Sequence, residues 1–195
     1  MDKEKKAARI SWLAVALILA LSISNLLLIT QNLRLRKQLN AAERIDASAN
    51  SLKPGETVTP FAGTDFNGQP YQVQYGKDGR KQLLLFFSPS CPYCVQQGPI
   101  WCDVLNRIDS SRFNVVGIVG NREDKQEVAR HADLLGYFKT RIALPVVSVG
   151  DETLARYKLA ATPTTLLIDD TGRVEHAWVG KWDKKKTAEV AAALK

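Results

Sequence analysis

Two cysteines separated by two residues, Cys91 and Cys94, are the residues of this sequence best suited to chemistry. They follow the apolar run 82–87, which is typical of a strand buried on both faces, and Pro92 opens a segment with helical character. The pair is therefore predicted at a strand-to-helix turn, with Cys91 at the helix N-terminus and Pro92 at the first helical position. Cysteines in this setting indicate a redox pair.

The two cysteines are expected to play different parts. At a helix N-terminus, unsatisfied backbone N–H groups and the positive end of the dipole favour thiolate, so we expect Cys91 to have a lowered pKa and to be the attacking nucleophile. Cys94 lies one turn further into the helix and is expected to be more buried, as the resolving thiol. The predicted reaction is thiol-disulfide exchange, which needs no metal and no organic cofactor.

A structural disulfide, half of a zinc site and two unrelated thiols are the other interpretations of this pair. Zinc needs two further ligands, but the other cysteine is Cys102 and the histidines are His131 and His176, far apart in the sequence. Cys102 lies about 16 Å from Cys91 along the predicted helix, beyond the roughly 7 Å between Cα atoms that a disulfide allows. We expect Cys102 to be a small buried hydrophobe and both histidines to be bystanders.

Residues 10–30 are predominantly apolar, and no charged residue lies between Arg9 and Arg34. About 20 apolar residues span a bilayer, and this stretch exceeds the core of about 7 to 15 residues typical of a signal peptide. We predict a transmembrane helix over residues 10–30. A cleaved signal peptide, with Ser22 and Ser24 near the cleavage site, is the alternative.

The orientation of this helix is not determined by charge, because four basic residues precede it and four follow it before residue 50. A short tail followed by a translocated domain is the signal-anchor pattern, so residues 1–9 are expected in the cytoplasm. Such a chain would lie in a bacterial inner membrane as a single-pass protein. Its main domain would face the periplasm or the extracytoplasmic side.

The formal charge of +7 divides between the two parts of the chain. Residues 1–50 carry +4 and residues 51–195 carry +3, so much of the excess flanks the membrane segment. No recognisable nucleic-acid motif accompanies it, and we expect no nucleic-acid partner.

Residues 31–50 are predicted to form a juxtamembrane helical stem and a linker. Leu26, Leu33 and Asn40 recur at seven-residue spacing, but fewer heptads are present than a coiled coil requires, so a solitary stem is favoured. The helix is expected to continue to about residue 47. Residues 46–55 have the composition of a linker, which marks the boundary of a domain over residues 51–195.

Alternating strand-like and helix-like segments in residues 51–195 predict an α/β domain. An N-terminal hairpin over 61–65 and 71–75 turns at Asn67-Gly68, and a helix over 92–108 contains Pro99. The further expected elements are strands over 114–119 and 145–149, helices over 123–135 and 152–157, a hairpin of 164–168 with 174–179, and a last helix from the cap Asp183 to 194.

Three features together resemble the thioredoxin fold: the CxxC pair between strand and helix, Pro99 five residues after the second cysteine, and Thr162-Pro163 ahead of the terminal hairpin. The N-terminal hairpin, an insertion over 121–145 and the membrane anchor are similar, more narrowly, to TlpA/ResA-type membrane-tethered thiol-disulfide oxidoreductases of the redoxin (AhpC/TSA) superfamily. This resemblance covers residues 51–195. A fainter one, based on Ser-Pro-Ser-Cys-Pro, is to redoxin-like accessory proteins of amine dehydrogenase maturation.

The resemblance implies a central mixed sheet flanked by helices and an enzyme that exchanges disulfides with cysteine-containing proteins. Relatives include reductants of apocytochrome c, which implies a reductant supplied by a membrane thiol electron donor. Pro163 is implied to be cis and to lie against the cysteines, exposing the backbone of Thr162 to an extended substrate. An ordinary trans proline is the alternative. Pro92 and Tyr93 are expected to contact substrate.

The sequence also departs from its relatives. Thioredoxins carry a buried aspartate six residues before the first cysteine, where this chain has Leu85, so that carboxylate cannot assist Cys94. Relatives of the ResA type often place a glutamate after the central strand; Glu123 is a candidate, but a negative charge in the first turn of a helix is the favoured interpretation of this residue. The proton acceptor for Cys94 therefore stays open.

Other function classes remain as alternatives. A disulfide oxidase or isomerase would use the same residues, and a non-catalytic binding module would keep the groove at Pro163 without exchange. A metal chaperone on this fold would be expected to carry CxxxC and a later histidine. A thiol peroxidase would need proline at position 84, where this chain has Leu84, although Ser88 fits the pattern three residues before Cys91.

Overall fold

The computed structural model describes residues 2–65, 67–109, 111–120 and 144–195. The chain divides into two compact units, Met1–Ile45 and Asp46–Lys195. The predicted helix over 123–135, with Glu123 and His131, lies outside the described residues, as does most of the predicted insertion. Each unit has its own architecture.

The first unit consists of most of one helix, α1, which spans Asp2–Ala49. Within it, Val15–Leu39 is long and apolar enough to cross a membrane, by length and composition alone. Two polar side chains in this stretch bond to the backbone of their own helix: Asn25 Nδ2 donates to Leu21 O at 3.0 Å, and Thr30 Oγ1 donates to Leu27 O at 2.8 Å. Such bonds satisfy polar groups locally, without water.

The second unit is built on one mixed sheet. Its strands are β1 (Phe61–Asp65), β2 (Pro70–Val73), β3 (Lys81–Phe86), β4 (Phe113–Gly120), β5 (Val146–Val149), β6 (Thr164–Ile168) and β7 (Val174–Val179), in the order β2-β1-β5-β4-β3-β6-β7. Strands β3, β4 and β5 are parallel neighbours, whereas β1, β6 and β7 join by antiparallel pairing. The sheet therefore has a parallel centre and antiparallel edges.

Strand β3 lies inside the sheet, between β4 and β6, and from Leu83 onward its side chains are apolar on both faces. Leu83 and Leu85 pack into one hydrophobic cluster, and Leu84 and Phe86 pack into the cluster on the other side. This alternation follows from the two-residue period of a strand. The run predicted to be a doubly buried strand is confirmed, beginning at Lys81 and ending at Phe86.

Among the described residues of this unit, three helices accompany the sheet: α2 (Pro92–Leu105), α3 (Asp151–Arg156) and α4 (Lys184–Ala193). Trp101 of α2 and Val190 of α4 belong to the same buried cluster as Leu83 and Leu85. The predicted cap is confirmed, since Asp183 Oδ1 accepts from Lys186 N at 2.8 Å. The mixed sheet with flanking helices and an N-terminal hairpin is therefore confirmed.

Some predicted boundaries differ from the structure. The prediction takes helix α2 to residue 108, but α2 ends at Leu105. Beyond it the backbone bonds join residues three apart instead of four: Arg107 N donates to Val104 O and Ile108 N to Leu105 O. Such tighter bonds commonly close a helix. Strand β2 begins at Pro70 and ends at Val73, earlier than expected.

Candidate active site

The end of β3 and the start of α2 position the cysteine pair. Phe87 N donates to Ile118 O at 3.0 Å, which holds the chain against β4 just beyond the last residue of β3. Cys91 N then donates to Ser88 O at 3.1 Å, closing the turn. Cys91 is the N-cap of α2 with extended backbone (φ −83°, ψ 115°), and Pro92 follows in the first turn. The predicted strand-to-helix placement is confirmed.

Cys91 is half-buried, and its thiol faces the loop before β6. The Cys91 Sγ donates to the carbonyl oxygen of Thr162 at 3.5 Å. The Cys91 carbonyl in turn accepts from Cys94 N at 3.0 Å and Val95 N at 3.2 Å, the first bonds of the helix. The structure therefore brings Cys91, Cys94 and Thr162 together.

The environment of Cys91 favours its thiolate. Partial burial raises the pKa of the Cys91 thiol, but hydrogen bonds from the Cys94 thiol, the Cys94 backbone and the Thr162 side chain outweigh burial, and the pKa falls below its ordinary value. A thiolate is the nucleophile in disulfide exchange. Cys91 is therefore equipped to attack.

Cys94 has the opposite character. It is fully buried, and this burial raises the pKa of the Cys94 thiol to about 12, although the Ser88 backbone acts in the other direction. At neutral pH the Cys94 thiol keeps its proton and donates it toward Cys91. The geometry separates the pair into one reactive and one withheld thiol.

This separation predicts the pH dependence of alkylation of the reduced protein. The rate at which Cys91 reacts with iodoacetamide should fall only when the pH drops through the pKa of Cys91. This pKa lies below that of a free thiol, which is about 8.5. Cys94 should stay unmodified through neutral pH, because burial holds its pKa near 12. Mass spectrometry of the alkylated peptides measures both. Equal labelling at pH 7 would contradict the assignment.

The Thr162–Pro163 peptide bond is cis, as the family resemblance implies. Pro163 is buried and Thr162 half-buried. The Pro163 carbonyl accepts from Gly180 N at 2.7 Å, so the segment after β7 lies against the same loop. Of the expected substrate contacts, Pro92 is exposed and Tyr93 has 43% of its surface exposed.

Gln97 is a buried site residue that the sequence reasoning missed. It lies three residues after Cys94, one helical turn away on the same face of α2, and is fully buried. Its Oε1 accepts from Trp182 N at 2.7 Å, while its Nε2 has no partner among the described residues. The signal for Gln97 in the sequence is a polar residue among the buried positions of α2. Gln97 ties the active-site helix to the segment after β7.

Replacing Gln97 by leucine should lower stability by about 1–2 kcal/mol, because the Trp182 N–H would be buried without an acceptor. Thermal or denaturant unfolding measures the difference. Gln96 provides a matched control. It is exposed, and among the described residues its side chain accepts from Lys181 Nζ, so Gln96→Leu should change stability by less than about 0.5 kcal/mol. Equal losses in the two variants would contradict this role for Gln97.

The remaining candidates lie away from the reactive thiols. Cys102 is fully buried in α2, as expected. His176 of β7 stacks on Trp178 with ring centroids 4.9 Å apart, so packing accounts for this histidine. Leu85 is fully buried, so β3 brings no carboxylate to Cys94. Within the described ranges, no three His, Cys, Asp or Glu side chains form a metal-binding group.

Comparison with known proteins agrees with this geometry. The AhpC/TSA family model matches residues 54–177, which include both cysteines and Thr162-Pro163. The thioredoxin-like protein YneN of Bacillus subtilis (strain 168) is 25% identical over 135 residues, covering 69% of this chain and 76% of YneN.

Solved structures share the fold. A thioredoxin domain of a thiol-disulfide oxidoreductase from Bacteroides vulgatus superposes with a TM-score of 0.59 at 16% identity, covering 74% of this chain and all of that one. StoA from Bacillus subtilis gives 0.53 at 19% identity, with 70% and 97% covered. A protein described as thiol:disulfide interchange protein DsbE from Chlorobium tepidum gives 0.56 at 23%, with 74% and 100% covered.

These likenesses confirm the thioredoxin fold predicted from the sequence. The expected enzyme class, a thioredoxin-like thiol-disulfide oxidoreductase, is confirmed at the level of family and fold. The match to the family model covers more than half of the chain. The chain therefore belongs to the AhpC/TSA family.

Proposed function

We propose that this protein is a membrane-tethered thiol-disulfide oxidoreductase that reduces disulfides of partner proteins on the extracytoplasmic side. One observation carries the proposal: a half-buried Cys91 with a lowered pKa stands beside a fully buried Cys94 with a raised pKa, against Thr162. Two cysteines with a purely structural role would not require this difference in burial and pKa. An exchange catalyst requires one thiolate to attack and one thiol held back.

The reaction proceeds in two exchanges. The Cys91 thiolate attacks one sulfur of the partner's disulfide, and the partner's other sulfur leaves as a thiolate that takes up a proton. Cys94 then loses its proton and attacks Cys91 Sγ, which releases the second partner thiol and leaves a Cys91–Cys94 disulfide. Two protein thiols are oxidised and one partner disulfide is reduced, so no external oxidant enters this half of the cycle.

Thr162 and Pro163 are the proposed positioning residues for the partner. The loop lies close to Cys91, because the Thr162 carbonyl accepts from the Cys91 thiol. An extended partner segment placed along Thr162 would bring its disulfide to Cys91, in the manner of an added strand. Exposed Pro92 and Tyr93 would contact the residues beside the partner's cysteine.

The groups that stabilise the Cys91 thiolate support the proposed direction of the reaction. A strongly oxidising pair has a reduced form stabilised well beyond that of an ordinary dithiol. Here the groups that lower the Cys91 pKa are neutral hydrogen-bond donors, and no charged residue occurs between Lys81 and Asp103. The reduced form gains little from charge, which supports a reductant rather than a disulfide oxidase.

The tether supports a place at the membrane. Val15–Leu39 has the length and composition of a membrane span, and the short residues 1–9 before the predicted span fit a cytoplasmic tail. In this arrangement the domain faces the periplasm, and a membrane thiol protein supplies the electrons that regenerate the Cys91–Cys94 dithiol.

The orientation is tested by adding protease to intact spheroplasts. The protease should digest the domain only if the domain lies outside the cell membrane.

Catalysed reduction of insulin by the full chain in neutral detergent, with dithiothreitol as electron source, tests the activity. We expect the rate of insulin precipitation to rise in proportion to enzyme concentration, and a Cys102→Ala variant to keep that rate. A rate no higher than that of dithiothreitol alone would contradict the proposal. It would leave a non-catalytic binding module.

A further inference from the structure

A lysine-rich segment is bonded to the loop that contacts the reactive thiol. Residues 180–186 follow β7 with the sequence Gly-Lys-Trp-Asp-Lys-Lys-Lys, which carries four lysines and one aspartate. Gly180 N donates to Pro163 O at 2.7 Å, next to Thr162, whose carbonyl accepts from Cys91. The segment therefore begins at the loop that lines the active site.

Two further bonds hold this segment against the active-site helix. Lys181 Nζ donates to Gln96 Oε1 at 2.6 Å, and Trp182 N donates to Gln97 Oε1 at 2.7 Å. Lys184 follows Trp182 by two residues, so its Cα lies within about 8 Å of the Trp182 Cα. The lysines at the start of α4 therefore follow directly on a segment that is bonded both to the Pro163 loop and to α2. We call Lys181, Lys184 and Lys185 the basic rim.

The charge of this rim is largely uncompensated. Lys184 and Lys185 are exposed, and neither forms a salt bridge within the part of the chain that the structure describes. Asp183 caps α4 by accepting from Lys186 N, so it screens only part of the charge. The active-site turn itself offers no carboxylate, because residues 82–102 contain no charged side chain.

The first turn of α2 also carries exposed apolar side chains. Tyr93 and Val95, in the first turn of α2, have 43% and 47% of their surfaces exposed. Outside α1 they are the only large hydrophobic side chains so exposed among the described residues. Tyr93 lies one helical turn before Gln96 and Gln97, so a partner that covers it would approach the segment that carries these lysines.

We propose that the rim formed by Lys181, Lys184 and Lys185 selects partner proteins whose reactive cysteine is flanked by acidic residues. This inference rests on the proposed function and names its substrate class. Opposite charge at a rim raises the rate of encounter and fixes orientation, more than it raises final affinity. The lysines would act on the approaching partner, since the groups that lower the Cys91 pKa are neutral.

The test compares three peptides that differ only in the residues flanking one cysteine: glutamates, lysines or serines. Each cysteine carries a 2-thiopyridyl disulfide, so attack by Cys91 releases neutral 2-thiopyridone, whose absorbance gives the rate. The reduced full chain in neutral detergent should react about 10-fold faster with the acidic peptide than with the basic one at low ionic strength. In 1 M salt, where the Debye length is about 3 Å, the ratio should fall below about 2.

A matched pair of double variants locates the effect. Lys184→Glu with Lys185→Glu should reverse the preference, and acidic residues in the first turn of α4 suit its dipole, so folding should persist. Lys77→Glu with Arg107→Glu changes the net charge equally. Lys77 precedes β3 and Arg107 follows the far end of α2, about 20 Å from the cysteines, so this control should keep the preference.

The outcomes separate the two proposals. Reaction of all three peptides at equal rates, or equal effects of the two double variants, would overturn the acidic-partner inference and leave exchange intact. No reaction even with the serine peptide would overturn the proposed function and this inference with it. If the lysines serve a membrane surface instead, anionic but not neutral phospholipid should protect Lys184 and Lys185 from acetylation without any peptide preference, which also overturns the inference.

Discussion

Replacing Cys91 by serine should reduce catalysed insulin reduction by about 10³-fold or more, equivalent to about 4 kcal/mol of transition-state stabilisation. The hydroxyl stays protonated at neutral pH, whereas hydrogen bonds from Cys94 and from the Thr162 side chain lower the pKa of the Cys91 thiol. No other described cysteine can substitute, because Cys94 and Cys102 are both fully buried. Steady-state rates with the full chain in detergent measure the loss.

Cys102→Ala is the matched control for this variant. It removes a thiol from the same helix while leaving the N-terminal turn unchanged. Its rate should stay within about twofold of the unmodified chain, because Cys102 takes no part in the exchange. A comparable loss in Cys102→Ala, or substantial activity in Cys91→Ser, would show that the nucleophile is assigned wrongly.

Replacing Cys94 by serine should block turnover at a different step. Cys91 can still attack, but no internal thiol releases the partner, so turnover should fall by about 10²-fold or more as the effective concentration of Cys94 is lost. The protein should then accumulate joined to its substrate through Cys91. Non-reducing gel electrophoresis and mass spectrometry detect this mixed disulfide.

A second substitution at the same position separates resolution from pKa control. The Cys94 side chain is one of the hydrogen-bond donors that lower the pKa of Cys91. Cys94→Ser keeps a donor, whereas Cys94→Ala removes it, so the alanine variant should form the mixed disulfide more slowly at neutral pH. Identical rates of the first step in both variants would contradict a role for Cys94 in activating Cys91.

The local parts of the site could be predicted from the sequence. Strand β3 and the turn into α2 are determined by a continuous apolar run followed by Pro92, so the placement of Cys91 and Cys94 was correct. The terminal hairpin and the Asp183 cap were also predictable, because each depends on a few neighbouring residues. These features require no knowledge of distant contacts.

The parts that the sequence did not reveal depend on contacts between distant residues. Gln97 and Trp182 are 85 residues apart, and no local pattern indicates that one accepts from the other. The same holds for Gly180 and Pro163, whose bond brings the lysine-rich segment to the active site. The strand order, in which β5 lies between β1 and β4, likewise follows from tertiary packing.

Cys94 must lose its proton in the second exchange. Buried Leu85 removes the carboxylate that thioredoxins use, and the candidate Glu123 lies outside the described residues. The raised pKa of Cys94, near 12, makes an acceptor or a coupled proton transfer to the leaving thiolate necessary at neutral pH. Proton transfer to the departing partner thiolate would meet this need without a further side chain.

The equilibrium reduction potential of the Cys91–Cys94 pair tests the central claim most directly. The full chain would be equilibrated in thiol redox buffers and the disulfide quantified by mass spectrometry, with Cys91→Ser as control. We predict one disulfide, between Cys91 and Cys94, with a potential near or below about −250 mV, in the range of thioredoxin. A value above about −180 mV would identify an oxidant or isomerase, and failure to form the disulfide would contradict exchange chemistry altogether.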